Sequence, residues 1–150
     1  MVFDRWNGAL QNWNNLLHAL PDEALYTAIA PGKNRGIYLL GHLIAVHDDM
    51  RVLLDLGEKM YPELYEPFLQ SPDGVTAQIP DAAALRAAWY KQCEAFSLQC
   101  GQLAAEDWFD KHTAVSAEDF AGEPHRNKLN IIITRTTHLS YHTGQLRLLK

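Results

Sequence analysis

Cysteine, positive charge and long apolar runs are all scarce in this 150-residue sequence. The two cysteines, Cys93 and Cys100, are seven residues apart in a segment predicted to be helical, which separates them by about 10 Å along the helix axis. A disulfide does not span that distance within one helix, and there is no C-x-x-C pair. We therefore expect two reduced thiols that pack as small hydrophobic groups.

The net charge of −5 comes with basic residues that are scattered along the chain instead of forming a stripe. Such a surface does not attract a phosphate backbone, so nucleic acid is not an expected partner. The longest apolar runs, such as "IYLLGHLIAV" and "NIIIT", fall short of the roughly 20 residues that cross a bilayer. The start, "MVFDRWNGAL", also lacks the basic and apolar sections of a secretory signal. We expect a cytoplasmic protein without a membrane partner.

Hydrophobic residues make up 47% of the sequence and charged residues 21%, which is typical of globular proteins. A chain of this length buries a sizeable core without disulfides or a structural metal. We expect residues 1–150 to form a single domain.

Apolar residues recur at steps of three and four in four segments, each of which is predicted to be a helix. Pro21 ends the first segment, while Asn34 and Asp81 are suited to cap the second and third. The four segments are residues 3–20, 35–58, 81–104 and 128–150.

The last segment is ambiguous because "NIIITRTT" is rich in β-branched residues, which favour strands. Its length, its helical spacing of apolar residues and the lack of a partner strand favour a helix. Two irregular stretches, residues 59–80 with four prolines and residues 106–126, link the later helices, and a short helical turn is expected at 61–69. These features predict an all-α four-helix bundle with long crossover connections.

Two histidines four residues apart, in "THLSYHTGQL", suggest a metal site. On a helix, His138 and His142 are about 40° apart around the axis, so both rings can reach one ion, although packing explains the same spacing. Arg135 and Gln145 share their face, and a polar stripe is costly to bury unless it is satisfied. Upstream, "LLGHLIAVHDD" places His42 and His47 in the middle of the second helix.

One histidine from the second helix and two from the last would give three ligands and leave one coordination position open. That arrangement is typical of catalytic metal sites. "HLSYH" lacks the glutamate of the H-E-x-x-H metalloprotease motif, and no Glu-x-x-His repeat indicates a di-iron centre.

The segments "LLGHLIAVHDDM" and "THLSYHTGQLRLL" together resemble the DinB/YfiT-like superfamily, whose members typically read xLxHLxxxE/H and later HxxxHxGQ. The order of the motifs, their separation and the chain length fit, so the resemblance covers nearly the whole sequence. It implies a DinB/YfiT-like four-helix bundle in which His42, His138 and His142 bind a divalent metal (Zn, Ni, Mn or Fe).

The resemblance also bears on the neighbouring polar residues. His47 stands where relatives often have an acidic residue or a second histidine, so it either lines the cavity and supports the ligands or is a packed or surface histidine. Gln145 matches the family's glutamine, which either orients a ligand by a hydrogen bond or ends the helix. Arg135 is a candidate partner for an anion. The remaining histidines match nothing and are expected at the surface: His18, His112 and His125.

Relatives of this kind include metal-dependent thiol transferases, an isomerase and proteins classed as hydrolases. The resemblance therefore implies a thiol transferase or hydrolase that acts on a small molecule, uses a low-molecular-weight thiol in the first case, and forms a homodimer. The alternative is a non-catalytic, stress-linked homodimeric bundle whose histidines bind metal only for stability or not at all.

Overall fold

The computed structural model describes residues 1–150 and contains helices but no strands. The all-α prediction is confirmed, and the β-branched stretch near the C-terminus is helical. Four helices have 18 or 19 residues, and two are shorter. In chain order the helices are α1 (Val2–Ala19), α2 (Asp22–Leu25), α3 (Gly36–Leu53), α4 (Ala82–Cys100), α5 (Ala117–Gly122) and α6 (Lys128–Leu146).

The long helices pack around one hydrophobic core. The backbones of α1 and α6 pack against each other, and α3 packs against both α4 and α6. Between α1 and α4 the contact is aromatic: the ring centroids of Trp13 and Trp89 are 5.8 Å apart, and the Trp89 indole N–H donates to Asn14 Oδ1 at 2.7 Å. These pairs bury large apolar surface while leaving the indole of Trp89 hydrogen-bonded.

Helix α3 is buried on almost every side, because it lies against α4, α6 and the link that follows it. Its N-terminal cap is Arg35, so the prediction of Asn34 was wrong by one residue. The backbone N–H of Arg35 donates to Asp73 Oδ2 at 2.7 Å, and its guanidinium pairs with the same carboxylate at 2.6 Å. A residue of the long link thus caps this helix from a distance in sequence.

The C-terminal end of α3 also differs from the prediction, since the helix stops at Leu53 and not at residue 58. Asp55 and Gly57 have positive φ angles of 60° and 112°, which turn the chain away from the helix. The guanidinium of Arg51 holds this turn by donating to the Leu56 carbonyl at 3.4 Å. Helix α4 likewise ends four residues before the predicted 104.

The link between α3 and α4 contains a 3-10 turn, Pro62–Leu64, and a π-helical turn, Glu66–Gln70, where a short helical turn was predicted. Two contacts hold it against α3. The Tyr61 backbone N–H donates to Asp48 Oδ2 at 2.6 Å, and the Phe68 ring lies over Gly41, where a Cβ atom would collide with it. Glycine at 41 therefore allows the π-helical turn to approach α3 closely.

The predicted cap at Asp81 is confirmed, and Asn127, which was not predicted as a cap, begins α6 in the same way. Asp81 accepts a hydrogen bond from the Ala84 N–H at 2.8 Å, and Asn127 accepts one from the Asn130 N–H at 2.9 Å. Each side chain satisfies a backbone donor that the first helical turn leaves free. No helix has both the length and the hydrophobicity needed to cross a bilayer.

Candidate metal centre

Three histidines from two helices converge at one point of the bundle. His42 lies in the middle of α3, while His138 and His142 lie one turn apart on α6. One nitrogen of each ring lies within 4.8 Å of the other two. The Nε2 atom of His138 is 3.0 Å from that of His142 and 3.3 Å from that of His42. The structure thus brings together the three residues proposed from the sequence as ligands.

In His42 and His142 the second ring nitrogen, Nδ1, is hydrogen-bonded to an acceptor outside the cluster. His142 Nδ1 lies 2.6 Å from Gln145 Oε1, and His42 Nδ1 lies 3.0 Å from the Phe68 carbonyl oxygen. Since an amide oxygen and a carbonyl oxygen only accept hydrogen bonds, Nδ1 is the protonated atom in both rings. Their Nε2 atoms then present lone pairs to the cluster, which is the form of imidazole that binds metals.

The two acceptors, Gln145 and the Phe68 carbonyl, are themselves held in place by neighbouring residues. The Gln145 amide N–H₂ donates to the Tyr141 hydroxyl at 3.1 Å, which fixes the orientation of the amide towards His142. The Phe68 carbonyl reaches His42 because the Phe68 ring packs on Gly41. Neither Tyr141 nor Phe68 was proposed from the sequence. The contact of Tyr141 with Gln145 could have been predicted, because residues four apart are neighbours on a helix. A backbone carbonyl as partner cannot be predicted from a sequence pattern.

All three rings are neutral at pH 7. Burial lowers the pKa of His138 to about 4, with further contributions from the charges of His142, His42 and Arg135. Burial likewise lowers the pKa of His42 and of His142, and this is partly offset by the hydrogen bonds that their Nδ1–H groups donate to the Phe68 carbonyl and to Gln145. A neutral imidazole keeps its lone pair, so no proton has to be displaced before these rings bind a cation.

The donor set fits a divalent metal. His138 makes both short nitrogen contacts through one Nε2 atom, so at most one of them is a hydrogen bond, and its buried Nδ1 atom has no partner. The other contact sets two lone pairs against each other unless a cation lies between them. Metal–nitrogen bonds of 2.0–2.1 Å in tetrahedral geometry require nitrogens about 3.3 Å apart, close to the 3.0 and 3.3 Å of the two contacts that His138 makes. The cluster contains no cysteine or carboxylate, and three ligands leave a position open.

The family model described as the DinB superfamily matches residues 5–146. The chain belongs to the DinB superfamily. The matched range contains all three histidines of the cluster. No curated protein matches the sequence significantly.

The cluster of this DinB protein reaches the surface on one side, since His42 and His138 are partly exposed and His142 is 8% exposed. The best-formed cavities lie elsewhere. The largest of them, about 470 Å³, lies between α1 and α4 and is lined by Trp6, Cys100 and other residues. Burial raises the pKa of the Cys100 thiol to about 12, so this cavity does not present a thiolate nucleophile.

His47 does not join the cluster. A step of five residues turns a helix by about 140°, so His42 and His47 point away from each other. His47 is 3% exposed and lies between Trp6 and Trp89, with ring centroids 5.3 and 5.0 Å away. The structure therefore places His47 in the aromatic core, which agrees with the prediction of a packed histidine and not with one that lines the cavity. Helical periodicity is the signal that separates it from the ligand positions.

The other histidines lie away from the cluster as well. His18 and His125 are exposed, and His112 is partly exposed and accepts a hydrogen bond from the Ala114 N–H at 3.2 Å. Arg135 lies one turn before His138 on the same face of α6 and is partly buried. It donates no hydrogen bond to the protein, unlike Gln145, whose amide contacts His142 directly.

We predict that Gln145→Ala lowers the affinity for divalent metal by about 10- to 100-fold, because His142 then loses the acceptor that fixes its tautomer. Competition between the protein and a chromophoric chelator measures this affinity. Gln102→Ala, which removes an exposed glutamine after α4, is the matched control and should bind as the parent does. Equal affinities in the two variants would contradict the role assigned to Gln145.

We predict that His47 makes the protein sensitive to acid. Burial lowers the pKa of His47 to about 3, below the value of about 6.5 in the unfolded chain, so the native state stays neutral while the unfolded state takes up a proton. Its contribution to stability is therefore complete above pH 6.5 and is lost as the pH falls towards 3. Between pH 7 and pH 5 the free energy of unfolding should fall by about 2 kcal/mol more in the parent than in His47→Met.

Urea unfolding at the two pH values, without metal, measures this difference. The control is His18→Met, which replaces an exposed histidine on α1 and should retain the acid sensitivity of the parent. A His47→Met variant that loses as much stability as the parent would show that His47 is not buried in its neutral form.

Proposed function

We propose that this DinB protein is a metal-dependent enzyme, either a thiol transferase or a hydrolase, that acts on a small molecule. The observation that supports this most strongly is the set of three Nε2 atoms from His42, His138 and His142, which converge without a fourth protein ligand. Of the metals considered, zinc, nickel and iron suit three neutral imidazoles better than manganese, which prefers oxygen ligands.

A divalent metal at this site would supply Lewis acidity, which lowers the pKa of a nearby water or thiol so that a nucleophile forms at neutral pH. The protein's part is to hold three nitrogens in place. His138 and His142 occupy successive turns of α6, and His42 faces them from α3. The acceptors at Nδ1 keep the proton on the outer side of two rings, and burial keeps all three rings neutral. The partly exposed side gives a small molecule access.

The two cysteines are not suited to act as the nucleophile. Burial raises the pKa of both Cys93 and Cys100 to about 12, and neither belongs to the histidine cluster. A thiol transferase of this kind would therefore depend on an external low-molecular-weight thiol.

The second candidate function is a non-catalytic bundle in which metal serves stability alone. One observation favours it: none of the five best-formed cavities is lined by a histidine of the cluster. The two functions differ in whether a small molecule reaches the metal. Titration of the metal-loaded protein with 2-mercaptoethanol separates them, since binding favours the enzyme and no binding favours a closed structural site.

We predict that protein purified without a histidine tag contains about one divalent metal ion per chain. His142→Ala and His138→Ala should each reduce this content strongly, since two imidazoles hold a metal far more weakly than three. Element-resolved mass spectrometry measures it. His125→Ala, which removes an exposed histidine, should leave the metal content unchanged. Parent protein that stays free of metal even after refolding with Zn, Ni, Mn or Fe would contradict the proposal.

We also propose that the chain forms a homodimer in the cytoplasm and does not bind nucleic acid. Large hydrophobic side chains that are exposed in the single chain, among them Tyr141 and Leu148, support a further contact surface. Light scattering should give twice the mass of 17.0 kDa. A monomer at high protein concentration would contradict the dimer.

A further inference from the structure

We propose that Arg135 binds the carboxylate of an anionic small molecule whose other end lies at the histidine cluster. This inference rests on the proposed metal-dependent function and names the class of ligand for the same site. It predicts that the preferred thiols or substrates carry a carboxylate.

Arg135 is placed beside the cluster by the geometry of α6. It precedes His138 by three residues and His142 by seven, and residues with these spacings lie on the same face of a helix. One step of three residues advances about 4.5 Å along the axis. The charge of Arg135 adds to burial in lowering the pKa of His42 on the facing helix, as expected for a guanidinium close to the rings.

Every other buried or partly buried arginine in the chain has a partner, but Arg135 does not. Arg35 pairs with Asp73, Arg86 with Asp22, and Arg126 with Glu123, while Arg51 donates to Gln99 and to backbone carbonyls. Arg135 forms no ion pair and no hydrogen bond.

The one carboxylate whose charge acts on the pKa of Arg135 does not neutralise it. The charge of Asp49 raises the pKa of Arg135, against the larger lowering by burial, so the carboxylate lies in its neighbourhood. However, Asp49 Oδ1 pairs with Lys59 Nζ at 2.6 Å. A partly desolvated guanidinium without a counterion is costly, and an incoming anion would remove this cost.

The charge of the site also favours a ligand with two anionic ends. The three imidazoles are neutral and the cluster has no carboxylate, so the charge of a divalent metal would remain uncompensated. Arg135 adds a second positive centre about one helical turn away. A guanidinium donates two parallel hydrogen bonds to a carboxylate, which gives both affinity and orientation. A small thiol that carries a carboxylate matches both centres.

The test compares two thiols that differ in this group, 3-mercaptopropionate and 2-mercaptoethanol, by calorimetric titration of zinc-loaded protein. We expect the parent to bind 3-mercaptopropionate at least about tenfold more tightly, given the usual strength of hydrogen bonds between charged groups. Arg135→Gln should bring the ratio of affinities close to one while zinc content and the affinity for 2-mercaptoethanol stay unchanged. Arg126→Gln, which removes an arginine that pairs with Glu123 near the surface, should keep the parental ratio.

The outcomes separate this inference from the function it rests on. If zinc binds but the parent shows no preference, or if Arg135→Gln keeps it, the role of Arg135 is wrong and the metal site stands. If the parent binds none of Zn, Ni, Mn or Fe, both are wrong; if it binds one of the others but not zinc, the same titrations are made with that metal. If Arg135→Gln loses zinc, the same ratio is measured for Arg135→Lys. Lysine keeps the positive charge but cannot donate two parallel hydrogen bonds to a carboxylate. A reduced ratio therefore supports the contact proposed for Arg135, and an unchanged ratio overturns it.

Discussion

The fixed direction of two imidazole rings is the constraint on which the candidate site depends. Because the Nδ1 atoms of His42 and His142 are bound to acceptors outside the cluster, their Nε2 lone pairs have to face inwards, where they meet the ring of His138. Without those two hydrogen bonds the same three residues would form an ordinary group of buried histidines. The arrangement leaves lone pairs facing one another, and their repulsion is removed by a cation between them. A hydrogen bond between neutral rings removes it for only one of the two contacts, because His138 has a single Nε2 atom.

The long link after α3 takes part in this arrangement. Its π-helical turn supplies the Phe68 carbonyl to His42, and it comes close enough because residue 41 has no side chain. The same link is anchored at both ends of the segment by Asp73, which caps α3, and by Tyr61, which binds the carboxylate of Asp48 on α3. The crossover connection therefore orients the ring of His42. Substitutions in this link are expected to disturb the histidine cluster through the Phe68 carbonyl.

Periodicity and capping predicted much of the fold from the sequence, because apolar spacing and residues such as Asp81 are local signals. Spacing also identified His138 and His142 as a pair. Bundle geometry added a third histidine from the second helix, but helical patterns do not tell which faces meet, so the choice of His42 over His47 came from the family resemblance. The Phe68 carbonyl was not predictable because every residue carries a carbonyl. The ends of α3 were missed since tertiary contacts, above all that of Asp73 with Arg35, determine them.

The most direct test of the three-histidine site is a crystal structure of the metal-loaded protein with anomalous data collected at the absorption edge of the metal. We predict one strong anomalous peak between the Nε2 atoms of His42, His138 and His142, with a water or small molecule in the remaining position. A metal bound elsewhere, or three histidines in contact with one another and no anomalous peak between them, would contradict it.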